Sequence, residues 1–139
     1  MIKLLVGRKG SGKTARLVDE MNEHALDENL NVVCIEKGNR LDTQIKPQIR
    51  LINIEEYPIK GYEQFLGFIA GICSKDYDIT DIYVDSIKKV VKSDDQDEFL
   101  NFINKIEDFV ITRGLNLVIL YSAESESLPE GFAKYVEEF

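Results

Sequence analysis

Tryptophan is absent from the 139 residues, histidine occurs once, cysteine twice and proline three times. These scarcities remove several kinds of protein from consideration. Cys34 and Cys73 lie far apart and His24 stands alone, so no metal-ligand spacing exists. Both thiols read as small buried hydrophobes in a reducing cytoplasm, which is the expected location. His24 falls within a helical pattern with no visible partner, and proton transfer needs a positioned neighbour. Long apolar runs are missing too: the longest, Phe65 to Cys73, is far too short to cross a bilayer. No stretch near the N-terminus combines a charged start, an apolar middle and a small-residue cleavage site. Positive charge is the scarcer sign, with 17 Lys and Arg against 25 Asp and Glu for a net charge of -8. That balance argues against a sequence-independent grip on nucleic acid, which rests on neutralising phosphates, and no basic, aromatic-laced stripe offsets it. No internal repeat or low-complexity linker interrupts the chain, and its length predicts one domain over 1–139.

Against this background one segment is specific. Gly7-Arg8-Lys9-Gly10-Ser11-Gly12-Lys13-Thr14 fits the Walker A pattern G-x-x-x-x-G-K-[ST] without a departure and follows the apolar run Ile2-Lys3-Leu4-Leu5-Val6. A loop with glycines at both ends can turn its backbone N–H groups inward on phosphates. Lys13 then reaches the β and γ oxygens, and the Thr14 hydroxyl takes a place on Mg²⁺. The expected ligands are therefore a nucleoside triphosphate and Mg²⁺, with Gly7 through Thr14 as the cradle.

Apolar β-rich runs alternate with helical periodicity along the rest of the chain, the pattern of a parallel sheet covered on both faces. Strands are read at Ile2 to Val6, Asn31 to Glu36, Ile49 to Ile54, Ile79 to Asp85, and Leu115 to Ser122. This predicts a three-layer αβα sandwich with a mainly parallel sheet of about five strands, the P-loop NTPase fold. Helical spacing recurs in Val18, Met21 and Ala25, then in Phe65, Ile69, Ile72 and Cys73, and most clearly in Phe99, Phe102, Ile103, Ile106 and Val110. The carboxylates Asp94, Asp95, Asp97 and Glu98 suit the opening turn of that last helix, and Gly114 suits its end. Pro129 predicts a short terminal helix carrying Phe132, Tyr135, Val136 and Phe139. Lys37 to Gln48, with Gly38, Asn39 and Pro47, is the least regular stretch and reads as a mobile or partner-facing loop.

Three polar residues stand at strand ends facing the crevice where open α/β sheets bind ligands. Asp85 ends a strand that is apolar at 79, 82, 83 and 84, and is placed to serve Mg²⁺, which takes one or two protein oxygens, often through water. Asp81, inside the strand, is the poorer candidate. Glu36 could deprotonate or orient an attacking water, or be a solvated strand-end carboxylate. Asp85 is followed by Ser86, so the commonest place for such a base is empty. Ser122 could hydrogen-bond the γ phosphate or cap a turn.

This order of P-loop, Glu36, a strand ending in Asp85-Ser86, a long helix and a strand ending in Ser122 resembles the RecA-like P-loop ATPases, including the KaiC and RadA relatives. The resemblance implies that Asp85-Ser86 coordinates Mg²⁺ through water, Glu36 activates the attacking water and Ser122 senses the γ phosphate. It also implies further strands after the one holding Ser122, where this sequence offers one helical segment. Ile2 to Val6 would then lie at the sheet edge, to be covered by the terminal helix, a second copy or another protein partner.

The leading expectation is a small Mg²⁺-dependent ATPase or ATP-driven switch. No arginine has an evident place in the site, which predicts low turnover that rises when an oligomer or partner supplies one. A nucleotide-binding module without hydrolysis and a small-molecule phosphotransferase are the alternatives; the latter needs an arginine-rich lid, and 37–48 holds one arginine, Arg40, beside Lys37 and Lys46. Asn104-Lys105-Ile106-Glu107 approximates a guanine-reading N-K-x-D run, but Glu replaces Asp and the run falls within a helix, so ATP is the expected nucleotide by resemblance.

Overall fold

The computed structural model describes residues 1–138. Its six strands are β1 (Ile2–Gly7), β2 (Val32–Glu36), β3 (Arg50–Asn53), β4 (Asp81–Val84), β5 (Asn116–Ser122) and β6 (Val136–Glu138). They form one sheet in the order β3-β2-β4-β5-β1-β6, and every neighbouring pair is parallel. The four central strands are apolar along most of their length because both faces are covered. All five residues of β2 and all four of β4 are buried.

One face is covered by α1 (Lys13–His24), whose Leu17, Val18 and Met21 pack with Leu5, Cys34, Tyr83 and Leu120. The other face carries α2 (Gly61–Lys75), α3 (Ile87–Val91) and α4 (Gln96–Arg113). Tyr62 and Phe65 of α2 interlock with Phe99 and Phe102 of α4 at ring separations of 5.5–5.8 Å. The acidic opening of α4 is a cap: the Asp95 carboxylate accepts hydrogen bonds from the N–H groups of Asp97 and Glu98 at 3.0 and 3.1 Å. Gly114 closes the helix at φ 63°, a left-handed conformation that suits glycine. These elements form the three-layer α/β architecture of a P-loop NTPase. Among the described residues, no helix is long and apolar enough to cross a membrane.

The terminal segment departs from expectation. In place of a helix carrying Phe132, Tyr135 and Val136, there is a single short helical turn at Glu130–Phe132, and Val136–Glu138 then pairs with β1 as a sixth strand. Phe139 lies outside the described residues. The open edge of β1 explains the outcome: its unpaired N–H and C=O groups gain partners from a strand, which a helix of about ten residues, marginal by itself, would leave unmet. Phe132 anchors the segment between Phe99 and Tyr121, at ring separations of 5.6 and 6.3 Å. The Tyr135 hydroxyl donates to Glu107 at 2.7 Å. Glu137 meets Lys3 of β1 and Arg16 of α1, tying β6 to the helix that follows the loop. The edge at Ile2 to Val6, expected to await a helix or a partner, is therefore occupied by the chain itself.

Candidate functional site

Parallel pairing sends the C-terminal ends of all strands to one side of the sheet. Gly7 is in register with Ser122, and Val84 with both Ile119 and Ile35. The loop after β1, Asp85 after β4, Glu36 at the end of β2 and Ser122 at the end of β5 are thus brought to one edge.

The glycines of the loop have separate reasons. Gly10 and Gly12 hold φ of 81° and 90°, in the left-handed region that side chains disfavour. Gly7 is a matter of space: a Cβ there would stand 2.9 Å from Ser11 Oγ and 3.2 Å from the Lys13 side chain. The first turn of α1 contains no acidic residue and no side-chain cap, so its free N–H groups and positive dipole end face the loop uncompensated. Lys13 is buried and donates to the Arg8 carbonyl at 2.9 Å. Its burial lowers the ammonium pKa, and the nearby Asp85 charge opposes that shift.

Asp85 is also buried. Its Oδ1 accepts from Ser86 Oγ at 3.1 Å and lies 3.5 Å from Thr14 Oγ1. Ser86 adopts φ 60°, turning the chain sharply into α3. Glu36 is fully buried, with Oε2 accepting from the Leu41 N–H at 3.0 Å. Desolvation raises its pKa above the ordinary carboxylate value, against the Leu41 hydrogen bond and the Arg40 charge. Among the described residues, Glu36 Oε1 and Asp85 Oδ2 have no hydrogen-bond partner.

A cavity of about 300 Å³ opens beside the loop, with neither Asp85 nor Glu36 in its lining. Lys13 and Thr14 line one side, Ser86 and Lys88 another, and Ser122 and Arg40 complete it. Arg8 lies outside, paired with Glu124 at 3.3 Å. Glu36 does not line the cavity; Arg40 stands beside it, with Nε 4.0 Å from Oε1.

Three basic residues of this cavity, Arg40, Lys88 and Lys89, were not anticipated, and the first two are held in place by visible contacts. Lys88, the second residue of α3, donates to the Ser122 carbonyl at 2.8 Å and lies 4.6 Å from the centre of the Tyr121 ring. Arg40 returns over the end of β2 because the segment 37–48 is tethered. Leu41 is buried, and Asn22 of α1 donates to the Gln44 carbonyl and accepts from the Lys46 N–H. Proximity in sequence was the available signal for both, as Arg40 is four residues beyond Glu36 and Lys88 three beyond Asp85.

Other sequence candidates fall elsewhere. Asp81 is buried at the opposite edge of the sheet, where His24 Nδ1 lies 3.4 Å from it and 2.8 Å from the Tyr83 hydroxyl. Asn104 through Glu107 lie within α4, where Lys105 pairs with Glu63 and Glu107 receives Tyr135, which are packing roles. Asp94 through Glu98 serve as the helix cap, and among the described residues no group of three or more His, Cys, Asp or Glu could hold a metal ion.

A parallel sheet with helices on both faces, and a glycine-rich loop between β1 and α1, define the class: the fold is that of the KaiC-like, RecA-type P-loop proteins. Among solved structures, the chain is similar to a KaiC-like protein from the hyperthermophilic archaeon Pyrococcus horikoshii, with a TM-score of 0.72 over 99% of this chain and 72% of that one. Sequence identity between the two is 14%, so the likeness carries the fold alone. No protein-family profile and no curated protein matches the sequence.

Proposed function

We propose that the chain binds ATP with Mg²⁺ through the loop Gly7 to Thr14 and hydrolyses it slowly, as an ATPase or an ATP-dependent switch. The observation that carries the reading is that Lys9, Gly10, the buried Lys13 and Thr14 of the phosphate-binding loop line one cavity, with Asp85 Oδ1 3.5 Å behind the Thr14 hydroxyl.

The residues fit Mg²⁺. Thr14 and Asp85 offer hard oxygen ligands, and Asp85 Oδ2 is a buried anionic oxygen without a hydrogen-bond donor. When bound, the ion would neutralise charge on the β and γ phosphate oxygens. Lys13 exchanges its carbonyl partner Arg8 for phosphate oxygens, and the loop amides hold the triphosphate in place. Ser122 is in register with Gly7 and lines the same cavity as Lys13, which supports a role in sensing the γ phosphate. Glu36 takes the role of orienting or deprotonating the attacking water.

Slow turnover follows from the surroundings of Glu36. One of its oxygens is occupied by the Leu41 N–H, the other lies beside Arg40, and the residue does not reach the cavity. Phosphate release measured under single-turnover conditions tests this. The expected result is slow release abolished in Lys13→Ala and reduced in Glu36→Gln, with ATP binding retained in the latter. Fast release by the wild-type protein at every dilution contradicts it.

A further inference from the structure

Arg40 is placed unusually for a surface residue. Its side chain is 61% exposed, yet its guanidinium lies 3.6 Å from Asp85 Oδ2 through Nη2 and 4.0 Å from Glu36 Oε1 through Nε. These are the two buried carboxylate oxygens of the site that have no hydrogen bond. Both separations exceed hydrogen-bond length, so charge alone holds the guanidinium there while its donors remain available. A phosphate group accepts those donors in the paired geometry that suits arginine, with charge-assisted bonds shorter and stronger than the present contacts.

The backbone supports motion of this side chain by itself. Leu41 is buried and its N–H is fixed to Glu36, while the Asp42 N–H bonds the Asn39 carbonyl across the turn. The Arg40 Cα is therefore a fixed pivot at the mouth of a cavity shared with Lys13 and Thr14. A cation that neutralised Asp85 would weaken the hold on Arg40 from that side and leave only Glu36 Oε1, at 4.0 Å, to retain it.

We propose that Arg40 reads the terminal phosphate of a bound nucleoside triphosphate, exchanging its position over Asp85 and Glu36 for that phosphate and exposing Glu36 to the cavity as it leaves. This rests on the proposed ATP site and gives that site an arginine from its own chain. Arg40 then does two things in one movement: it adds positive charge where the γ phosphate stands, and it opens the path between Glu36 and water. A diphosphate offers no acceptor at that position, so Arg40 distinguishes the two nucleotides.

Equilibrium titration with Mg²⁺-ADP and with the non-hydrolysable β,γ-imido analogue of ATP tests this in wild type, Arg40→Ala, Arg40→Lys and Lys13→Ala. Arg40→Ala should weaken the triphosphate analogue about tenfold, equivalent to about 1.4 kcal/mol, and leave ADP within about twofold. Arg40→Lys should recover part of the loss, because it restores the charge without the paired donors. Equal weakening of both nucleotides, or of neither, in Arg40→Ala overturns the proposal. If the wild-type protein binds neither nucleotide and Lys13→Ala behaves identically, the ATP reading itself fails and the Arg40 proposal falls with it.

Discussion

Replacing Gly7 by alanine adds one methyl group to the first residue of the loop, and the same replacement at Gly67 adds one to the exposed face of α2. The structure assigns these two changes opposite signs. At Gly7 the new Cβ stands 2.9 Å from Ser11 Oγ and 3.2 Å from Cγ and Cδ of Lys13. Ser11 is exposed and can rotate away, but Lys13 is only 5% exposed and held by the Arg8 carbonyl. Its methylenes must shift by a few tenths of an ångström, and overpacking of this kind costs about 1–3 kcal/mol. At Gly67 no atom lies within 4 Å of an added Cβ. Alanine inside a helix is favoured over glycine by about 0.5–1 kcal/mol. With about 2–8 °C per kcal/mol for domains of this size class, Gly67→Ala should raise the melting temperature by a few degrees and Gly7→Ala should lower it. The displaced Lys13 ammonium should also cost Gly7→Ala about 1.4–2.8 kcal/mol of nucleotide binding, or about 10- to 100-fold. Thermal unfolding followed by circular dichroism, with a nucleotide titration on each variant, reads both quantities. A Gly7→Ala protein that melts no lower than wild type and binds nucleotide with unchanged affinity would refute the steric reasoning.

Two further outcomes follow from burial. Glu36 has its pKa raised in the folded protein, so its carboxyl favours folding below its unfolded pKa, and that contribution is lost as pH rises through the folded value. Glu36→Gln should therefore gain melting temperature relative to wild type as pH is raised from about 5 to about 8, and a variant that instead loses melting temperature relative to wild type over that range contradicts the sign. Phe132, fully buried against Phe99 and Tyr121, should cost about 3–5 kcal/mol on replacement by alanine. Denaturant unfolding showing a loss below about 1 kcal/mol would mean that the segment leading to β6 is not anchored as described.

What could be read in advance divides along physical lines. The order β1, loop, α1 was evident because the loop needs glycine, lysine and threonine at fixed spacing. The observed positive φ at Gly10 and Gly12, and the close contacts that a Cβ at Gly7 would meet, show why. β2, β4 and β5 were evident because strands buried on both faces are continuous apolar runs, and α4 because a five-residue stripe, the Asp95 cap and Gly114 agree. β6 was missed for the opposite reason. Three residues carry no periodicity, and what makes Val136 to Glu138 a strand is the open edge of β1, more than a hundred residues away in sequence. α3, five residues long, is held by burial of Ile87, Val90 and Val91 more than by local preference.

The site divides in the same way. Asp85, Glu36 and Ser122 were identified because strand ends in a parallel sheet share one edge, and the structure places all three there. The burial of Glu36 was not foreseen, since a strand-end carboxylate ordinarily faces water. Arg40 was missed because a loop's side-chain direction depends on its tethers, here Leu41 and Asn22, which no local pattern encodes, and Lys88 because α3 is too short to show a periodicity.

Whether Gly7 to Thr14 holds a triphosphate can be settled by equilibrium titration of ATP, in the presence and absence of Mg²⁺, into the wild-type protein and Lys13→Ala. The site described here predicts saturable binding by the wild type, strengthened by Mg²⁺ through Thr14 and Asp85 and weakened at least about tenfold in Lys13→Ala. Absence of binding to the wild-type protein, or binding that ignores both Mg²⁺ and Lys13, would contradict it.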